Sequence, residues 1–423
     1  MKEIVDFLIK VSKLKETPRT GWVLMKVKNP ETIADHTFRM TLLAWLLAEE
    51  KGLNIKKVIK LALSHDLCEV YAGDMTPFFY YLNLTKNKAE RKKRLMKWVR
   101  LSKFEKEKRG RKKFELEKKS LLKLIEALNP ESKREIFSSW LDFEKRISKE
   151  GKFVKQVDRI ETLIQAIEYF GPKKEVGGSS WWEGTEEIVE DPLLLDFLKV
   201  IQKRFYKGPF KNYKTDKNLE AILDFILAIG KLKRMPRLYW ILREVKNPET
   251  VASHVFDVAL LAWLFNKGKK FNTEKILKMA LCHEISAVFA GDTTPYDRIL
   301  PKRKEEKREI LKQWPHILKI KKEENFFLDY KKEKKAIERL TNKLEPKSRN
   351  EILQLWKEYK TKSTPEGRML PQINVLSVLI QSLLYEKRNK NVSAVPIWEW
   401  AFEVCDNETC FSFLDEVKKK FSK

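Results

Sequence analysis

The chain repeats itself once, and this duplication limits its possible folds more than any other feature of the sequence. Residues 13–34 read KLKETPRTGWVLMKVKNPETIA, and residues 231–252 read KLKRMPRLYWILREVKNPETVA. The offset is 218 positions, from Arg19 to Arg237, and it becomes 216 after a basic segment, from Pro130 to Pro346. So long a period indicates two copies of a domain and not a solenoid of short units.

The repeat sets the expected domain boundaries. We predict a first domain over residues 1–205, a linker over 206–217 and a second domain over 218–423. The linker contains Gly208 and Pro209, which are typical of a connecting segment.

Helical spacing of apolar residues predicts an all-α fold. In residues 31–50, apolar side chains recur at steps of three and four, and residues 55–72 and 153–170 follow the same period. No stretch alternates apolar and polar residues as a half-buried strand would. Hydrophobic residues make up 43% of the chain, so each copy can bury its own core.

The excess of basic residues indicates which kinds of partner the chain could bind. The formal net charge of +27 favours anionic partners such as nucleotides, nucleic acid or an anionic membrane surface. A solvated Lys/Glu-rich surface, as in heat-stable proteins, explains the same balance. The four cysteines form no CxxC pair, and no segment is typical of a signal peptide or a transmembrane helix. We therefore expect a cytoplasmic protein without a membrane anchor.

Histidines are scarce and lie at matched positions. Of the five, His36 and His65 in the first copy correspond to His254 and His283 in the second, and His316 stands apart. A lone helical histidine is usually structural. Two per copy, each beside acidic residues on an apolar helix, favour a metal site, because burying such groups without partners is costly.

The first copy holds a mixed set of nitrogen and oxygen ligands. His65, Asp66 and Glu69 are spaced to share one flank of a predicted helix, and His36 and Asp158 come from two further helices. Two imidazoles and two carboxylates suit one divalent ion such as Mn²⁺, Co²⁺, Fe²⁺, Zn²⁺ or Mg²⁺. Glu69 is not needed as a ligand, so it is free to act as a general acid or base. Buried polar residues that stabilise a helical bundle are the alternative.

Three stretches of the first copy together resemble the HD-domain 5'-deoxynucleotidases, which are HD superfamily metal-dependent phosphohydrolases. They read KLKETPRTGWVLMKVKNPETIADHTFRM, LALSHDLCEVYAGDMTP and GKFVKQVDRIETLIQAIEYF, in the order of that family. The resemblance implies two tandem HD-type helical bundle domains. It also implies four metal ligands: His36, His65, Asp66 and Asp158.

Further roles follow from the same resemblance. Glu69 matches the family's catalytic acid/base, and Asp74, which matches the acidic residue of its GDxTP segment, is expected to be catalytic as well. Arg19 and Trp22 match the loop that holds the phosphate and sugar of the nucleotide. The implied reaction removes phosphate from nucleoside 5'-monophosphates, usually deoxy ones. Nucleoside triphosphates, cyclic nucleotides or nucleic acid as substrates, and a nucleotide-sensing or nucleic-acid-binding module, stay open as alternatives.

The second copy keeps the frame but changes the chemistry. Asn374 stands in place of Asp158, Ala287 in place of Glu69 and Glu284 in place of Asp66. With one anionic ligand and the proton donor lost, we expect a catalytically silent domain. Because members of the family commonly pair two identical domains, we expect the two HD domains to pair within this chain.

A basic segment interrupts the resemblance. Residues 86–119 carry seventeen Lys and Arg against five Asp and Glu, with apolar residues between them. One or two amphipathic helices packed on the domain explain this pattern, and a nucleic-acid surface is a secondary possibility.

Overall fold

The computed structural model describes residues 1–75, 103–172, 179–206, 209–266, 271–294, 298–312, 319–389 and 392–422. His316, residues 86–102 of the basic segment and residues 207–208 of the expected linker lie outside these ranges. Every regular element within them is helical, apart from two isolated bridges, Pro18–Thr32 and Pro236–Thr250. The all-α prediction is therefore confirmed.

The chain forms two compact units. One consists of residues Lys13–Leu223, and the other combines Met1–Ser12 with Asp224–Lys423. Helix α1 (Lys2–Val11) therefore belongs to the unit that contains the second copy. The boundaries expected from the sequence, at residues 205 and 218, stay a prediction.

The first unit consists of nine helices in its described residues, and one further helix crosses its boundary. They are α2 (Thr20–Leu24), α3 (Ile33–Glu50), α4 (Ile55–Ser64), α5 (Glu69–Ala72), α6 (Lys103–Ile125), α7 (Pro130–Lys145), α8 (Lys149–Phe170), α9 (Ser179–Glu186) and α10 (Pro192–Phe205), followed by α11 (Lys217–Ile229) across the boundary.

Helix α3 forms the centre of the first unit. Every residue from Ile33 to Ala48 is buried, as expected for a helix that is largely apolar all round. Its start is fixed by a capping box, in which the Thr32 hydroxyl accepts from the Asp35 amide and the Asp35 carboxylate accepts from the Thr32 amide. Helices α4 and α8 pack against α3, and α7 packs against both of them. This arrangement brings the chemically important segments of three helices together.

The second unit repeats this order in its described residues. It contains α12 (Leu238–Leu242), α13 (Val251–Phe265), α14 (Thr273–Cys282), α15 (Ala287–Ala290), α16 (Lys304–Lys312), α17 (Lys319–Thr341), α18 (Pro346–Thr361), α19 (Pro365–Arg388), α20 (Val395–Val404) and α21 (Glu408–Phe421). Helix α13 is the buried central element and packs against α14 and α19.

Helix α1 completes the core of the second unit. It packs against α13, α19 and α21. Ile4, Val5, Phe7 and Val11 are at most 1% exposed. The ammonium of Lys420 lies 2.6 Å from the carboxylate of Asp6. The first eleven residues thus supply an apolar face to residues that lie more than two hundred positions later.

Candidate metal and active site

The helix expected over residues 55–72 is broken at the site, so this detail of the sequence prediction is wrong. Helix α4 ends at Ser64, and α5 begins at Glu69. Between them the amides bond three residues back, Leu67 to the Ser64 carbonyl and Glu69 to the Asp66 carbonyl. This tighter winding is common where a helix ends. His65 and Asp66 therefore lie on a turn between two helices, and Glu69 is the first residue of the second helix.

Three side chains of the first unit form a group that could hold a metal ion. His36 on α3, with His65 and Asp66 on the turn, place one ligand atom each within 4.8 Å of one another. The two imidazole rings are 5.5 Å apart between centroids, and both histidines are at most 2% exposed. The site is thus closed by helices, with Asp66 at its more open edge.

The hydrogen bonds of both imidazoles direct their second nitrogens into the site. His65 donates from Nδ1 to the carbonyl of Ala62 at 2.7 Å, and His36 uses Nδ1 to contact the carboxylate of Glu161. With Nδ1 protonated, Nε2 carries the lone pair that binds a metal. The donor set and its orientation therefore fit a divalent ion.

Asp158 lies beside this group. Its Oδ1 is 3.1 Å from Nε2 of His36. Burial opposes ionisation of Asp158, but His36 outweighs burial and holds the pKa of this carboxyl well below its usual range. Burial and Arg19 oppose protonation of His36, but Glu161 and Asp158 outweigh them and raise its pKa to about 9. Without an ion, the site is thus a tightly paired imidazole–carboxylate cluster.

A buried ionic network supports His36, and the sequence reasoning did not find it. Glu161 is fully buried on α8 and contacts both His36 and Nε of Arg39, the latter at 2.7 Å. Arg39 also donates to Glu168 and, at 2.9 Å, to Gln165. A carboxylate behind a ligating histidine fixes the ring and raises its basicity. The available signal was the spacing, since Glu161 follows Asp158 by three helical positions.

Glu69 is a buried acid, and one of its two carboxylate oxygens lacks a hydrogen-bond partner among the described residues. The residue is 4% exposed, and the oxygen is Oε2. Burial, followed by the charges of Asp66 and Asp74, raises the pKa of Glu69 well above its usual range. A carboxyl held in its protonated form beside a metal site can donate a proton in catalysis.

Arg19 and Asp74 meet at the open edge of the site. The guanidinium of Arg19 donates to Asp66 at 2.9 Å and lies 3.9 Å from Asp74. Asp74 also accepts the amide of Thr20 at 2.6 Å, directly after Gly73 turns the chain with a φ of 72°. Asp74 therefore fixes the loop that carries Arg19.

Trp22 lies in the core of the unit and not on an open surface. It is 1% exposed, its indole N–H donates to Glu31 at 2.8 Å, and its ring packs on Tyr169 and Trp181. The structure therefore places Trp22 under the loop that carries Arg19. Its expected contact with substrate stays a prediction.

The second unit retains the loop but not the ionic network. Arg237 donates to Glu284 at 3.1 Å, and Asp292 accepts the amide of Leu238 at 2.7 Å, as their first-copy counterparts do. Ser377 stands where Glu161 supports His36, and Asp257 stands where Arg39 does. The carboxylate behind the first histidine is therefore missing from this copy.

Three residues of the second unit still form a possible metal group: His254, His283 and Glu284. However, Nε2 of His254 lies 2.9 Å from Oδ1 of Asn374, and Asn374 donates to the hydroxyl of Tyr359. In this pairing Nε2 of His254 carries the proton, so its lone pair is not directed at an ion. Burial lowers the pKa of His283 to about 4.

The described residues include no helix that combines the length and apolarity needed to cross a bilayer. The helical bundle and its histidine–aspartate cluster together define a class of protein, the HD-type phosphohydrolases.

Comparisons with known proteins agree with this class. A family model described as HD domain matches residues 11–188 and again residues 229–398. The 5'-deoxynucleotidase HDDC2 of Danio rerio is 31% identical over 204 residues, which cover 48% of this chain and 88% of that protein. The 5'-deoxynucleotidase hdd1 of Schizosaccharomyces pombe is 32% identical over 205 residues, 48% of this chain and 90% of that protein.

A similarly sized match was found with the HDDC2 5'-deoxynucleotidase of Xenopus laevis, at 29% identity over 51% of this chain and 93% of that protein. Among solved structures, a conserved hypothetical protein from Pyrococcus furiosus matches 47% of this chain and 99% of its own, at 25% identity and a TM-score of 0.34. The two family matches together cover most of the sequence. The chain belongs to the HD domain family, and it carries that domain twice.

Proposed function

We propose that the chain is a metal-dependent 5'-nucleotidase that removes phosphate from nucleoside and deoxynucleoside 5'-monophosphates. The observation that carries the proposal is the group formed by His36, His65 and Asp66, with the buried acid Glu69 three residues further on. The substrate class comes from the relatives, which are named 5'-deoxynucleotidases.

The proposed site holds one divalent ion through His36, His65, Asp66 and Asp158. When bound, such an ion supplies Lewis acidity and lowers the pKa of water toward neutrality. Mn²⁺, Co²⁺, Fe²⁺, Zn²⁺ and Mg²⁺ are all compatible with two nitrogen and two oxygen ligands. Glu161 keeps the ring of His36 oriented so that its Nε2 can bind the ion.

The remaining residues bind the substrate and move a proton. Arg19 stands at the open edge, where its guanidinium can form two parallel bonds with the phosphate. Trp22 and Asp74 hold the loop of Arg19 from below and from the side. Glu69 is protonated because it is buried near other carboxylates, and it donates this proton to the departing 5'-oxygen of the nucleoside.

We further propose that the second HD domain is catalytically silent. Ala287 offers no proton where Glu69 does, and Asn374 removes one negative charge from the ligand set. The loss of the carboxylate behind His254 weakens the site further. Its intact buried helices indicate a structural role instead.

A phosphate-release screen tests the activity. It covers ribo- and deoxynucleoside mono-, di- and triphosphates, each with Mn²⁺, Co²⁺, Mg²⁺ and Zn²⁺. We expect release from the monophosphates; release only from triphosphates would replace the proposed substrate class.

Two double variants then test the assignment of the site. The change of His65 and Asp66 to alanine should abolish release by the whole chain. The matched change of His254 and His283 to alanine should leave turnover near wild type. Substantial activity left in the first variant would show that the second site works and would overturn the proposed silence.

A further inference from the structure

The basic segment contributes a cation beside the site that the proposed mechanism does not use. Helix α6, which carries the described part of this segment, packs directly against α5, the helix that begins with Glu69. On α6, Lys113 and Glu117 are one turn apart, with Lys113 Nζ 3.3 Å from the Glu117 carboxylate. Glu117 is 3% exposed, so its end of this pair is buried within the unit.

The charges of the two groups act on the site residues. Burial raises the pKa of Glu117 to about 7, although the positive charge of Lys113 acts in the opposite direction. Burial opposes the charge of Lys113, but Glu117 and then Glu69 raise the pKa of this ammonium above its usual range. Lys113 is therefore a permanent cation within electrostatic reach of the proposed acid.

The ion pair with Glu117 leaves part of the Lys113 side chain accessible to solvent. This side chain remains 40% exposed, although Glu117 is buried. The second copy offers a comparison, because there the position of Lys113 is Asp329 and the counterpart of Glu117 is Glu333. Lys360, from helix α18, pairs with Glu333 at 2.6 Å and is 18% exposed. In both copies a lysine thus pairs with this glutamate. In the first copy the lysine lies on the same helix as the glutamate and is more exposed than its equivalent in the second copy.

We propose that Lys113 is a second phosphate-positioning residue, which binds the phosphate of the monoester beside Glu69. This inference rests on the proposed function. In the proposed site the carboxylates of Asp66 and Asp158 offset the charge of the divalent ion, and Arg19 is already bonded to Asp66, so a phosphomonoester dianion calls for a further cation. The ammonium of Lys113 supplies a further charge-assisted bond without disturbing the metal ligands.

The alternative role of Lys113 is only to neutralise Glu117, and a double variant separates the two roles. Lys113→Met removes the cation, and Lys113→Met combined with Glu117→Gln removes the cation and the charge it balances. If Lys113 binds phosphate, both variants should lose about 10- to 100-fold in kcat/KM, mainly through KM, as expected for one charge-assisted hydrogen bond. If it only neutralises Glu117, the double variant should recover wild-type values and the proposal is overturned.

Lys112→Met is the matched control, since Lys112 is an exposed neighbour on the same helix and its loss changes the net charge equally. It should leave both constants near wild type; an equal loss would assign the effect to general charge and overturn the proposal. Lys113→Arg, which keeps the positive charge, should show a smaller rise in KM than Lys113→Met.

Calorimetric binding of inorganic phosphate to the Mn²⁺-loaded full chain separates this inference from the proposed function. Wild type should bind phosphate, and Lys113→Met should bind it about 10-fold more weakly or worse. Phosphate binding that depends on Lys113 in a chain without monophosphatase activity would refute the function and keep the inference. Monophosphatase activity with phosphate binding unaffected by Lys113→Met, or no phosphate binding by wild type, would refute the inference.

Discussion

Replacement of Glu161 by glutamine tests whether the buried network behind His36 tunes the metal site. Glutamine preserves the shape of the side chain but removes the negative charge that contacts Nδ1 of His36. Loss of such a supporting carboxylate commonly costs about 10- to 100-fold in metal affinity, or roughly 1.4–2.7 kcal/mol. Because Glu161 is fully buried, solvent cannot replace the lost charge, so we expect a loss within this range.

The variant also affects stability, and a control separates the two effects. Arg39 loses one charged bond in Glu161→Gln but keeps those to Glu168 and Gln165, so the free energy of unfolding should fall by about 1.5–3 kcal/mol. Glu168→Gln removes a bond to Arg39 without touching His36. It should therefore lower stability without lowering metal affinity.

Competition with a chelator for Mn²⁺, followed at several chelator concentrations, measures the affinity, and urea unfolding of the metal-free proteins measures stability. Equal metal affinities in the Glu161→Gln and Glu168→Gln variants would refute the reasoning, because the network would then serve only the fold.

Three further predictions address the acid, the first helix and the second unit. Glu69→Gln should retain its metal, measured by elemental analysis, and lose about 10²–10⁴-fold in turnover; wild-type turnover would remove Glu69 from the mechanism. Phe7→Ala, on α1, should destabilise the unit formed with residues 224–423 by about 3–5 kcal/mol. Hydrogen exchange should show the loss of protection in the unit that contains α1 and residues 224–423, and a loss of protection confined to residues 13–223 would contradict the prediction. Burial lowers the pKa of His283 to about 4 from 6.5, so the stability it contributes is present above pH 6.5 and is lost toward pH 4. His283→Gln should flatten this part of the unfolding free-energy profile against pH; an unchanged slope would refute the assignment.

The helical architecture could be predicted because the apolar period and the duplication are properties of the sequence itself. The placement of α1 could not. Its apolar face fits any complementary groove, and the two copies have similar sequences, so the local pattern does not say which copy receives it. That choice depends on the path of the chain after Ser12, which the residue pattern does not encode.

The ligands of the candidate site could be predicted from the sequence more completely than the residues that support them. His36, His65 and Asp66 lie together, as their pairing and spacing indicate. The break between α4 and α5 was missed, because helical periodicity continues through the turn. Glu161 was missed because a glutamate on a helix is ordinarily solvated, and only the packing of α3 on α8 buries it.

The differences between the copies have a common electrostatic cause. Asp66, Glu69 and Asp158 lie close together, so their carboxylates repel one another unless cations compensate the charge. The first copy supplies cationic side chains for this and orients His36 to bind a metal cation. In the second copy the acid at position 287 and the charge at 374 are absent, and the network behind His254 is absent with them. If a metal is not held, a buried pair equivalent to Glu161 and Arg39 no longer needs to orient the ring of His254, and its burial becomes a cost without a function. Loss of the supporting pair is therefore the expected companion of the proposed catalytic silence. Restoring Ala287→Glu and Asn374→Asp alone should consequently not restore turnover unless Ser377→Glu and Asp257→Arg are added.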